Sequence, residues 1–378
     1  MCFRWQFTHS RQKSFTYSSE KPAAPQIPAG LGIGRGTGDN VSVPNHVGKY
    51  QQGRQWMNPA IEHSFTRYLA AKKSIDDRSL NRHVWGGLSR EIGASDAGAP
   101  YRILEVGAGI GTMVDRVLEW DLFSGLKNAS TGTVEVDFTL VDDQPENCRE
   151  MRRRLESVAP GPSTSLEDPG SPIHLARSGL NISVTIEAAD LFAYLDRERE
   201  QTWDLLIAQA LLDTVHLPSA LPALLRVVRP GGLFLFSINF DGCTIFQPEI
   251  GSQDDIIAAL YHQTMDERVI DGLASGDSRT GRHLYHRIQA AGAEVLAMGA
   301  SDHVICAGTD GYLDDDAYFL HFIVNTVERS LSGHPELSRS DFDAWVEQRH
   351  KQIDRHELVY IAHQLDVLGR RPDLRARA

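Results

Sequence analysis

The stretch from Ile103 to Thr112 constrains the fold of this chain more than any other segment. An apolar run typical of a β-strand carries the acidic residue Glu105 near its end, and glycines then follow at positions 107, 109 and 111. Because glycine lacks a Cβ, it accepts positive φ angles and lets backbone N–H groups approach a ligand closely. An amphipathic helix pattern begins directly afterwards, and a helix N-terminus favours anionic ligand groups. The stretch therefore predicts a strand, a nucleotide-binding loop and a helix.

The residues after the loop predict how the helix begins and which ligand it disfavours. Thr112 and Asp115 have the spacing of a helix N-cap and its partner. An apolar stripe at helical spacing follows, formed by Val114, Val117, Leu118 and Leu122. The dinucleotide fingerprint G-x-G-x-x-G ends in a glycine that packs the helix against the strand beneath a pyrophosphate. Thr112 occupies that position here, so the loop favours a ligand without a diphosphate.

With Glu105 two residues before the first glycine, the segment resembles motif I of the class I S-adenosylmethionine-dependent methyltransferases. The resemblance implies that the acidic residue and the loop hold the methionyl end of the cofactor. The residues that it assigns to this role are Glu105, Gly107, Ala108, Gly109 and Gly111. A glycine loop alone is also compatible with a tight turn, so motifs elsewhere in the chain have to support the interpretation.

Acidic residues follow the second and third predicted strands. The strand over 134–141 ends in Asp142 and Asp143, and an acid at this point of a Rossmann-like sheet accepts hydrogen bonds from the ribose diol. The spacing from Gly107 to Asp142 exceeds the usual distance of about 20 residues, and the polar loop at 124–132 accounts for most of the excess. The resemblance places Asp142 on the ribose and Asp143 beside the adenine, whereas the alternative is a pair of helix-capping acids.

The third and fourth strands contribute further expected cofactor contacts. After the strand at 182–188, the resemblance assigns Asp190 to the adenine amine and Leu191 to the adenine ring, and a turn aspartate is the alternative. The run Trp203–Ala208 has the character of a buried fourth strand. Gln209 begins its carboxyl edge, where open α/β sheets bind their ligands, and it is a further expected cofactor contact.

The run Arg229-Pro230-Gly231-Gly232 is the most specific part of the resemblance after motif I. Its expected role is structural, because proline and glycine turn a helix sharply into the strand predicted over Leu233–Phe236. Taken in order, the elements resemble an α/β fold with a Rossmann-like, seven-stranded, mostly parallel sheet and helices on both faces. A helical cover before the first strand, an insertion after strand five and an antiparallel last strand complete the expected fold.

The predicted elements divide the chain into five segments. A helix start at Asn58-Pro59 belongs to the expected cover. The predicted segments are a disordered or targeting tail at 1–46, an N-terminal helical cover at 47–98, an S-adenosylmethionine-binding core at 99–243, a substrate-lid insertion at 244–283 and the C-terminal part of the sheet at 284–370.

Composition excludes several other functions. The net charge of −12 disfavours nucleic-acid binding, which needs lysine and arginine to neutralise phosphates. The four cysteines form no C-x-x-C pair, so no zinc site is expected, and we interpret them as reduced thiols of a cytoplasmic protein. No apolar run reaches the roughly 18 residues that a membrane span requires. The expected partner is a small-molecule methyl acceptor, without nucleic acid, membrane or metal, and the oligomeric state stays open.

The leading functional hypothesis is methyl transfer to a small molecule by in-line displacement. The protein mainly has to hold an acceptor atom about 3 Å from the methyl group, and a general base is needed only when the acceptor must lose a proton. Candidates for that base lie at the predicted strand ends and in the insertion, and they are not ranked: Asp213, His216, Asp241 and His262. His216 is equally plausible as a cap of the following helix.

Three alternatives remain beside this hypothesis. DNA adenine or protein glutamine methylation needs an N-P-P-Y or D-P-P-Y motif after strand four, where this chain has Gln209-Ala210-Leu211-Leu212. The second alternative is a magnesium-dependent catechol-type enzyme, which uses acidic or amide metal ligands after strands four and five. The residues of this chain that imitate those ligands are Asp213, Asn239 and Asp241. The third alternative, from another functional class, is an inactive cofactor-binding or interaction module that kept the fold.

Overall fold

A mixed sheet of nine strands, with helices on both faces, is the centre of the fold in the part of the chain that the structure describes. The structure is a computed structural model that describes residues 64–95, 100–126, 132–159, 170–177 and 179–373. The predicted tail at 1–46 and the predicted helix start at Asn58-Pro59 lie outside these residues. Ser64 is the N-cap of the first described helix, and its side chain accepts a hydrogen bond from Arg67 N at 3.1 Å.

The helices and strands follow one another along the chain with few long connections. Helices α1 to α10 are Phe65–Ser79, Arg82–Gly93, Thr112–Glu119, Pro145–Val158, Leu191–Arg197, Leu217–Val227, Asp254–Asp266, Thr280–Ala290, Asp316–Leu331 and Arg339–Asp354. Strands β1 to β11 are Tyr101–Val106, Val134–Asp142, Ile173–Arg177, Leu180–Ala188, Trp203–Gln209, Val228–Gln247, Val269–Ile270, Leu273–Ala274, Glu294–Ala300, His303–Ile305 and Val359–Arg370. Strands β7 and β8 form a separate small hairpin.

The strand order across the sheet is β10-β11-β6-β5-β1-β2-β4-β3, and β9 also pairs with β11. Strands β4, β2, β1, β5 and β6 are parallel to one another, whereas β11 is antiparallel to β6 and to β9. This is the predicted Rossmann-like arrangement with its antiparallel last strand, so the fold prediction is confirmed. Strand β1 has β2 on one side and β5 on the other, which makes its carboxyl end the point where the strand order reverses and where such sheets bind ligands.

The sheet has nine strands where seven were predicted, because the edge strands β3 and β10 were not predicted. Strand β3 pairs antiparallel with β4 and lies at the end of the sheet. Its Ile173 and Leu175 are buried while His174 and Ala176 are exposed, so the strand covers only one face. Five residues of alternating pattern beside a segment rich in proline, glycine and serine are a weak signal for a strand.

The run Arg229-Pro230-Gly231-Gly232 lies where helix passes into strand. Helix α6 ends at Val227 and β6 begins at Val228. The pairing with β5 jumps from Trp203↔Val228 to Leu205↔Leu233, so the four residues form an irregularity in the strand. Gly231 has a φ of 74°, a conformation that glycine adopts without the steric cost of a Cβ.

Strand β6 is much longer than the predicted strand over Leu233–Phe236. Its Ser237 is level with Gln209 at the end of β5, and β6 then continues to Gln247. Ten further residues at about 3.3 Å each extend roughly 33 Å past that level. The extension pairs with β11 along its length, with irregular register around His363 and Asp366. The two strands form a ribbon that rises beyond the carboxyl edge of the sheet.

Three apolar clusters hold these parts together. One lies between the sheet and α2, α3 and α4, and a second lies on the opposite face beneath α5, α6 and α8. The third surrounds the ribbon and contains residues of α1, α7, α9 and α10, among them Tyr68, Phe246 and Tyr360. Removal of such apolar surface from water is the main driving force of folding. None of the helices in the described part of the chain has the length and apolar character of a membrane span.

Candidate functional site

The glycine loop lies at the carboxyl end of β1, at the reversal of the strand order. Gly107, Gly109 and Gly111 have φ angles of 66°, 59° and 76°, a region that disfavours residues with a Cβ. Ala108 N donates to Val141 O of β2 at 3.0 Å. The loop is therefore joined to the end of the neighbouring strand, and its shape depends on its glycines.

The helix after the loop begins differently from the prediction. Thr112 is the first helical residue and not the N-cap, which is Gly111 in the left-handed conformation without a side-chain hydrogen bond. Thr112 Oγ1 instead accepts from Arg116 Nη1 at 3.1 Å. Asp115 pairs with Arg154 of α4, whose Nη1 also donates to Ile110 O. Because the positive φ of Gly111 already turns the chain into the helix, Thr112 has no capping role.

Asp142 supports the glycine loop from the end of β2. Its Oδ2 accepts from Gly109 N at 2.8 Å, and its Oδ1 accepts from Gln144 N at 2.9 Å and Asn147 Nδ2 at 3.0 Å. Burial raises the pKa of Asp142 to about 6 although these donors oppose the shift. Asp143 is half-buried, and its Oδ1 accepts from Gln144 Nε2 at 3.1 Å. Asp142 is thus in direct contact with the loop, and Asp143 lies next to it at the surface.

Glu105 lies beneath the loop, in β1. It is 3% exposed, and its Oε2 has no hydrogen-bond partner among the described residues. Burial raises its pKa to about 8, which the charge of Arg116 opposes and that of Asp142 reinforces. A buried carboxyl oxygen without a donor is unfavourable, so a ligand that presents a donor or a positive charge here would satisfy it.

Two leucines contact the loop glycines in this conformation. A Cβ added at Gly107 would lie 2.9 Å from Leu211 Cδ1, and one added at Gly109 would lie 3.3 Å from Leu69 Cδ1. Leu211 precedes a 3-10 turn over Leu212–Thr214 that follows β5, and Leu69 belongs to α1. The absence of side chains at both glycines therefore makes room for leucine side chains here, and these must move for a ligand to reach the same faces.

Gln209 belongs to a buried polar network that sequence reasoning missed. Its Nε2 donates to Asp76 Oδ2 at 2.8 Å, and its Oε1 accepts from Arg116 Nη1 at 2.9 Å. Lys72 Nζ lies 2.5 Å from Asp76 Oδ1, and His303 Nε2 lies 3.0 Å from the same atom. The i,i+4 spacing of Lys72 and Asp76 was the only available signal, because the remaining partners come from distant parts of the chain.

The charges of this network balance inside the protein. Burial alone would raise the pKa of Asp76, but Lys72, His303 and Arg116 together hold it well below its usual range. Burial lowers the pKa of His303 to about 4, so this ring is neutral at pH 7. The two cations Lys72 and Arg116 face the carboxylates of α1, and Arg116 Nε donates to Asp77 Oδ1 at 2.6 Å. The network therefore binds α1 to α3, β5 and β10.

Asp190 and Leu191 lie at the start of α5. Asp190 is exposed and caps the helix, since its Oδ1 accepts from Phe192 N at 2.9 Å and Ala193 N at 3.1 Å. This is the arrangement of the turn-aspartate alternative. Leu191 is 6% exposed and packs in the cluster beneath α5 and α6. An adenine contact by either residue stays a prediction.

The candidates for a general base occupy different surroundings. His216 is the N-cap of α6 and its Nδ1 is 2.7 Å from Ser219 Oγ, whereas Asp241 pairs with Arg282 Nε at 2.8 Å. His262 Nε2 lies 3.0 Å from Thr244 Oγ1, and burial lowers its pKa. Asp213, in the turn after β5, is 5% exposed, and its Oδ1 lacks a partner among the described residues. Of the four, Asp213 is the residue in the turn that directly follows Leu211, next to the loop.

No three histidine, cysteine, aspartate or glutamate side chains are arranged to hold a metal ion within the described ranges. Asp241, one of the residues that imitate magnesium ligands, is engaged by Arg282 N and Nε, each at 2.8 Å from its Oδ1. Cys148, Cys243 and Cys306 are free thiols, and Cys2 lies outside the described residues.

Several solved structures have a distant similarity to this chain. No protein-family model matches it, and a search of curated proteins found no match. An S-adenosylmethionine-dependent methyltransferase from Geobacter sulfurreducens, in complex with S-adenosylhomocysteine, is 13% identical, and the match covers 81% of this chain and 98% of that chain with a TM-score of 0.37. Phosphoethanolamine N-methyltransferase 2 from Haemonchus contortus is 10% identical, with 82% and 58% covered and a TM-score of 0.38.

A third solved structure, the [4+2]-cyclase SpnF, is 15% identical, and the match covers 76% of this chain and 81% of that chain with a TM-score of 0.34. This chain spans about three fifths of the Haemonchus enzyme and most of the other two proteins. Similarity at this level does not establish the reaction of this chain, and the fold assignment rests on the strand order.

Proposed function

We propose that this chain is an S-adenosylmethionine-dependent methyltransferase that acts on a small-molecule acceptor. The observation that carries the proposal is the pair of buried carboxyl groups around the glycine loop at the reversal of the strand order. Asp142 contacts the loop from β2, and Glu105 lies below it with an oxygen that lacks a donor among the described residues. The α3 N-terminus follows directly.

The chemistry of these residues fits the proposed cofactor. A buried carboxyl group with an unsatisfied oxygen suits the cationic methionyl end, which assigns that end to Glu105 and the glycine loop. Among the described residues, the Oδ2 of Asp142 accepts one hydrogen bond, from Gly109 N, and a carboxylate oxygen can accept two. Asp142 therefore keeps acceptor capacity for a ribose hydroxyl. No diphosphate has to be accommodated, in agreement with Thr112 in place of a third fingerprint glycine.

When it is bound, the cofactor supplies an activated methyl group. The residues of this chain have to hold the acceptor in line with the departing sulfur, exclude water and take up a proton where the acceptor loses one. Alignment of the acceptor with the methyl group alone contributes a large part of the rate enhancement in a transfer of this kind. Polar residues after β5, the neighbour of β1, and on β6, the next strand, are the groups that we assign to acceptor binding.

The proposal is tested by calorimetric titration of the protein with S-adenosylmethionine, with Asp142→Asn as the variant. The substitution keeps the shape of the side chain but removes its charge. Because hydrogen bonds to a charged group contribute roughly 1.5–3 kcal/mol, we expect cofactor affinity to fall by about ten- to a hundredfold. Asp196→Asn, on an exposed acid of α5, is the control and should leave cofactor affinity unchanged.

A second measurement separates an enzyme from an inactive module. Release of S-adenosylhomocysteine is followed while the protein is incubated with S-adenosylmethionine and a library of small-molecule acceptors. Transfer to at least one acceptor supports the proposal. Cofactor binding without transfer to any acceptor favours the inactive module, and a lack of cofactor binding by the unaltered protein contradicts both.

A further inference from the structure

We infer that the methyl acceptor is an amine, bound through its N–H groups by Asp213, Ser237 and Asn239. The inference rests on the proposed function and names the acceptor class of the same site. It starts from the three buried side chains, which belong to neighbouring elements at the carboxyl edge of the sheet. Each of them has a hydrogen-bond acceptor atom that the protein itself does not satisfy.

The burial of these groups is nearly complete. Ser237 and Asn239 are 0% exposed, and Asp213 is 5% exposed. Within the described part of the chain, Asp213 Oδ1, Ser237 Oγ and Asn239 Oδ1 have no hydrogen-bond partner. The amide nitrogen of Asn239 donates to Leu365 O at 2.9 Å, which leaves its oxygen as the atom to be satisfied. Buried polar atoms are normally paired, so three unpaired polar atoms in adjoining elements are available to a ligand.

The three residues lie at the carboxyl end of β5 and on the adjoining part of β6, and β5 separates β6 from the strand that carries the glycine loop. Ser237 is paired with Gln209, and its carbonyl oxygen accepts from Ala210 N at 2.9 Å. Asp213 belongs to the turn that follows Leu211, the residue in contact with Gly107. Asn239 comes two residues after Ser237 on β6. The three side chains therefore belong to the carboxyl end of β5 and the adjoining part of β6, and β5 lies next to β1, whose loop is proposed to hold the cofactor.

The backbone is strained at the same place. Ala210 and Ile238 have φ angles of 50° and 56° although neither is glycine. Such conformations are unfavourable for residues with a Cβ, and they cluster at functional sites where surrounding structure maintains them. Ile238 N is held by Asp366 Oδ1 at 2.8 Å. The kink at Ile238 separates Ser237 from Asn239 and interrupts the regular strand between them.

The chemistry of the three groups selects among classes of methyl acceptor. A carboxylate substrate would place its negative charge against the carboxyl group of Asp213 and would supply no hydrogen-bond donor. A thiol is a weak donor, and a hydroxyl group supplies one hydrogen. A primary amine supplies two, or three when protonated, which matches the acceptor oxygens of Asp213 and Asn239 and leaves one hydrogen for the Ser237 hydroxyl, which can accept as well as donate. An ammonium group would also be attracted by an ionised Asp213.

The transfer step balances with these groups alone. A bound ammonium first gives a proton to the carboxylate of Asp213, which leaves a neutral amine with a free electron pair. The nitrogen then forms a bond to the methyl carbon while the carbon–sulfur bond breaks and its electron pair stays on sulfur. The product leaves as a methylated ammonium ion, and Asp213 returns the proton to solvent.

The experiment screens a library of metabolite-sized amines, alcohols, thiols and carboxylates against the full-length protein. Binding is measured as thermal stabilisation in the presence of S-adenosylhomocysteine, and transfer is measured with S-adenosylmethionine. We expect the compounds that bind to be amines, and we expect Asp213→Asn to weaken their binding about tenfold or more with little change in cofactor affinity. Binding confined to thiols or carboxylates overturns the inference, as does cofactor binding with no amine bound. A protein that does not bind the cofactor contradicts the proposed function instead.

Ser237→Ala gives a second, milder test. Removal of a buried hydroxyl without a partner should raise the melting temperature of the unliganded protein by about 1–3 °C and weaken amine binding about threefold or more. If Ser237 had only a structural role, its replacement would not both raise the melting temperature and weaken amine binding. Asp196→Asn, on an exposed acid of α5, is the control and should change neither quantity. If Ser237→Ala lowers the melting temperature and leaves amine binding intact, the inference fails.

Discussion

Glu105 has the most unusual environment of the residues predicted from motif I. The carboxyl group is buried beneath the glycine loop, and its pKa is raised to about 8, well above the ordinary value of about 4.3. The folded protein therefore favours the protonated form at neutral pH. Because the folded pKa is raised, the stability contributed by the neutral group is fully present below the ordinary pKa and is lost as pH rises through 8.

This pH dependence gives a prediction for Glu105→Gln. The substitution keeps a neutral side chain at every pH, so the decline in stability between about pH 5 and 8 should shrink. At pH 8 the variant should be more stable than the unaltered protein by roughly 2–4 kcal/mol, measured by urea unfolding across the pH range. Parallel stability curves for the two proteins would show that Glu105 is ionised in the folded state.

The positions of single residues were predictable only where the signal is local. Glu105 and Asp142 were predicted at the ends of strands; Asp142 accepts from the loop at Gly109 N and Glu105 is buried in β1, while their roles toward a cofactor stay predictions. The predicted N-cap at Thr112 was wrong because the conformation of Gly111 was not visible in the spacing. The partners of Gln209 were not predictable, since Asp76 and Arg116 lie far from it in the sequence.

At the scale of elements, α1 and the turn after β5 cover the glycine loop. Leu69 and Leu211 contact the faces of Gly109 and Gly107, so the loop is closed by apolar side chains in this conformation. The apparent affinity of a protein for a ligand is proportional to the fraction of protein molecules that are in the binding-competent conformation. Closure by these leucines therefore lowers the apparent affinity for any molecule that uses the loop.

Leu211→Ala should relieve this closure. Removal of the side chain from the face of Gly107 should raise the association rate and the apparent affinity for S-adenosylmethionine by roughly three- to tenfold, measured by stopped-flow tryptophan fluorescence. Leu118→Ala, which truncates another half-buried leucine on α3, is the control and should leave the association rate unchanged. Slower association in Leu211→Ala would mean that Leu211 helps to hold the cofactor.

Elements with a long or regular pattern were predictable from the sequence, and short edge elements were not. The strand and the helix predicted on either side of the glycine loop lie at Tyr101–Val106 and Thr112–Glu119. Strand β3 was missed because five residues carry little periodicity. The length of β6 was underestimated because its second half is a ribbon strand whose pairing with β11 depends on residues more than 100 positions away.

At the scale of the whole molecule, the polar network around Asp76 connects parts with separate apolar clusters. Asp76 lies on α1, next to the cluster around the ribbon, whereas Arg116 follows the glycine loop and Gln209 ends β5. His303 adds strand β10. Apolar packing alone does not specify how these parts are oriented, and the network holds α1 in one position over the sheet.

Asp76→Asn should therefore destabilise the whole protein. Loss of one partner from a buried ion pair leaves the charge of Lys72 without full compensation and costs about 3–5 kcal/mol. Urea unfolding, followed by circular dichroism and tryptophan fluorescence, measures the change. The control is Asp315→Asn, which breaks the surface pair with Arg67 and should cost less than about 1 kcal/mol. Equal effects of the two substitutions would contradict the role assigned to the network.

The order of the strands was predictable from the order of motifs, because parallel strands joined by helices have few allowed connections. The polar network was not predictable, since its members come from α1, α3, β5 and β10. The orientation of α1 over the loop was therefore not predictable either. Long-range side-chain pairing has no periodic signature in the sequence.

The position of β11 has a consequence for how the protein is made. This strand, Val359–Arg370, comes after all other strands in the sequence, yet it lies inside the sheet between β6 and β9. During synthesis, β1 to β6 leave the ribosome well before their last neighbour. The long outer edge of β6 is then unpaired, and such an edge invites pairing with other chains. The nascent protein therefore exposes this edge until its final strand is in place.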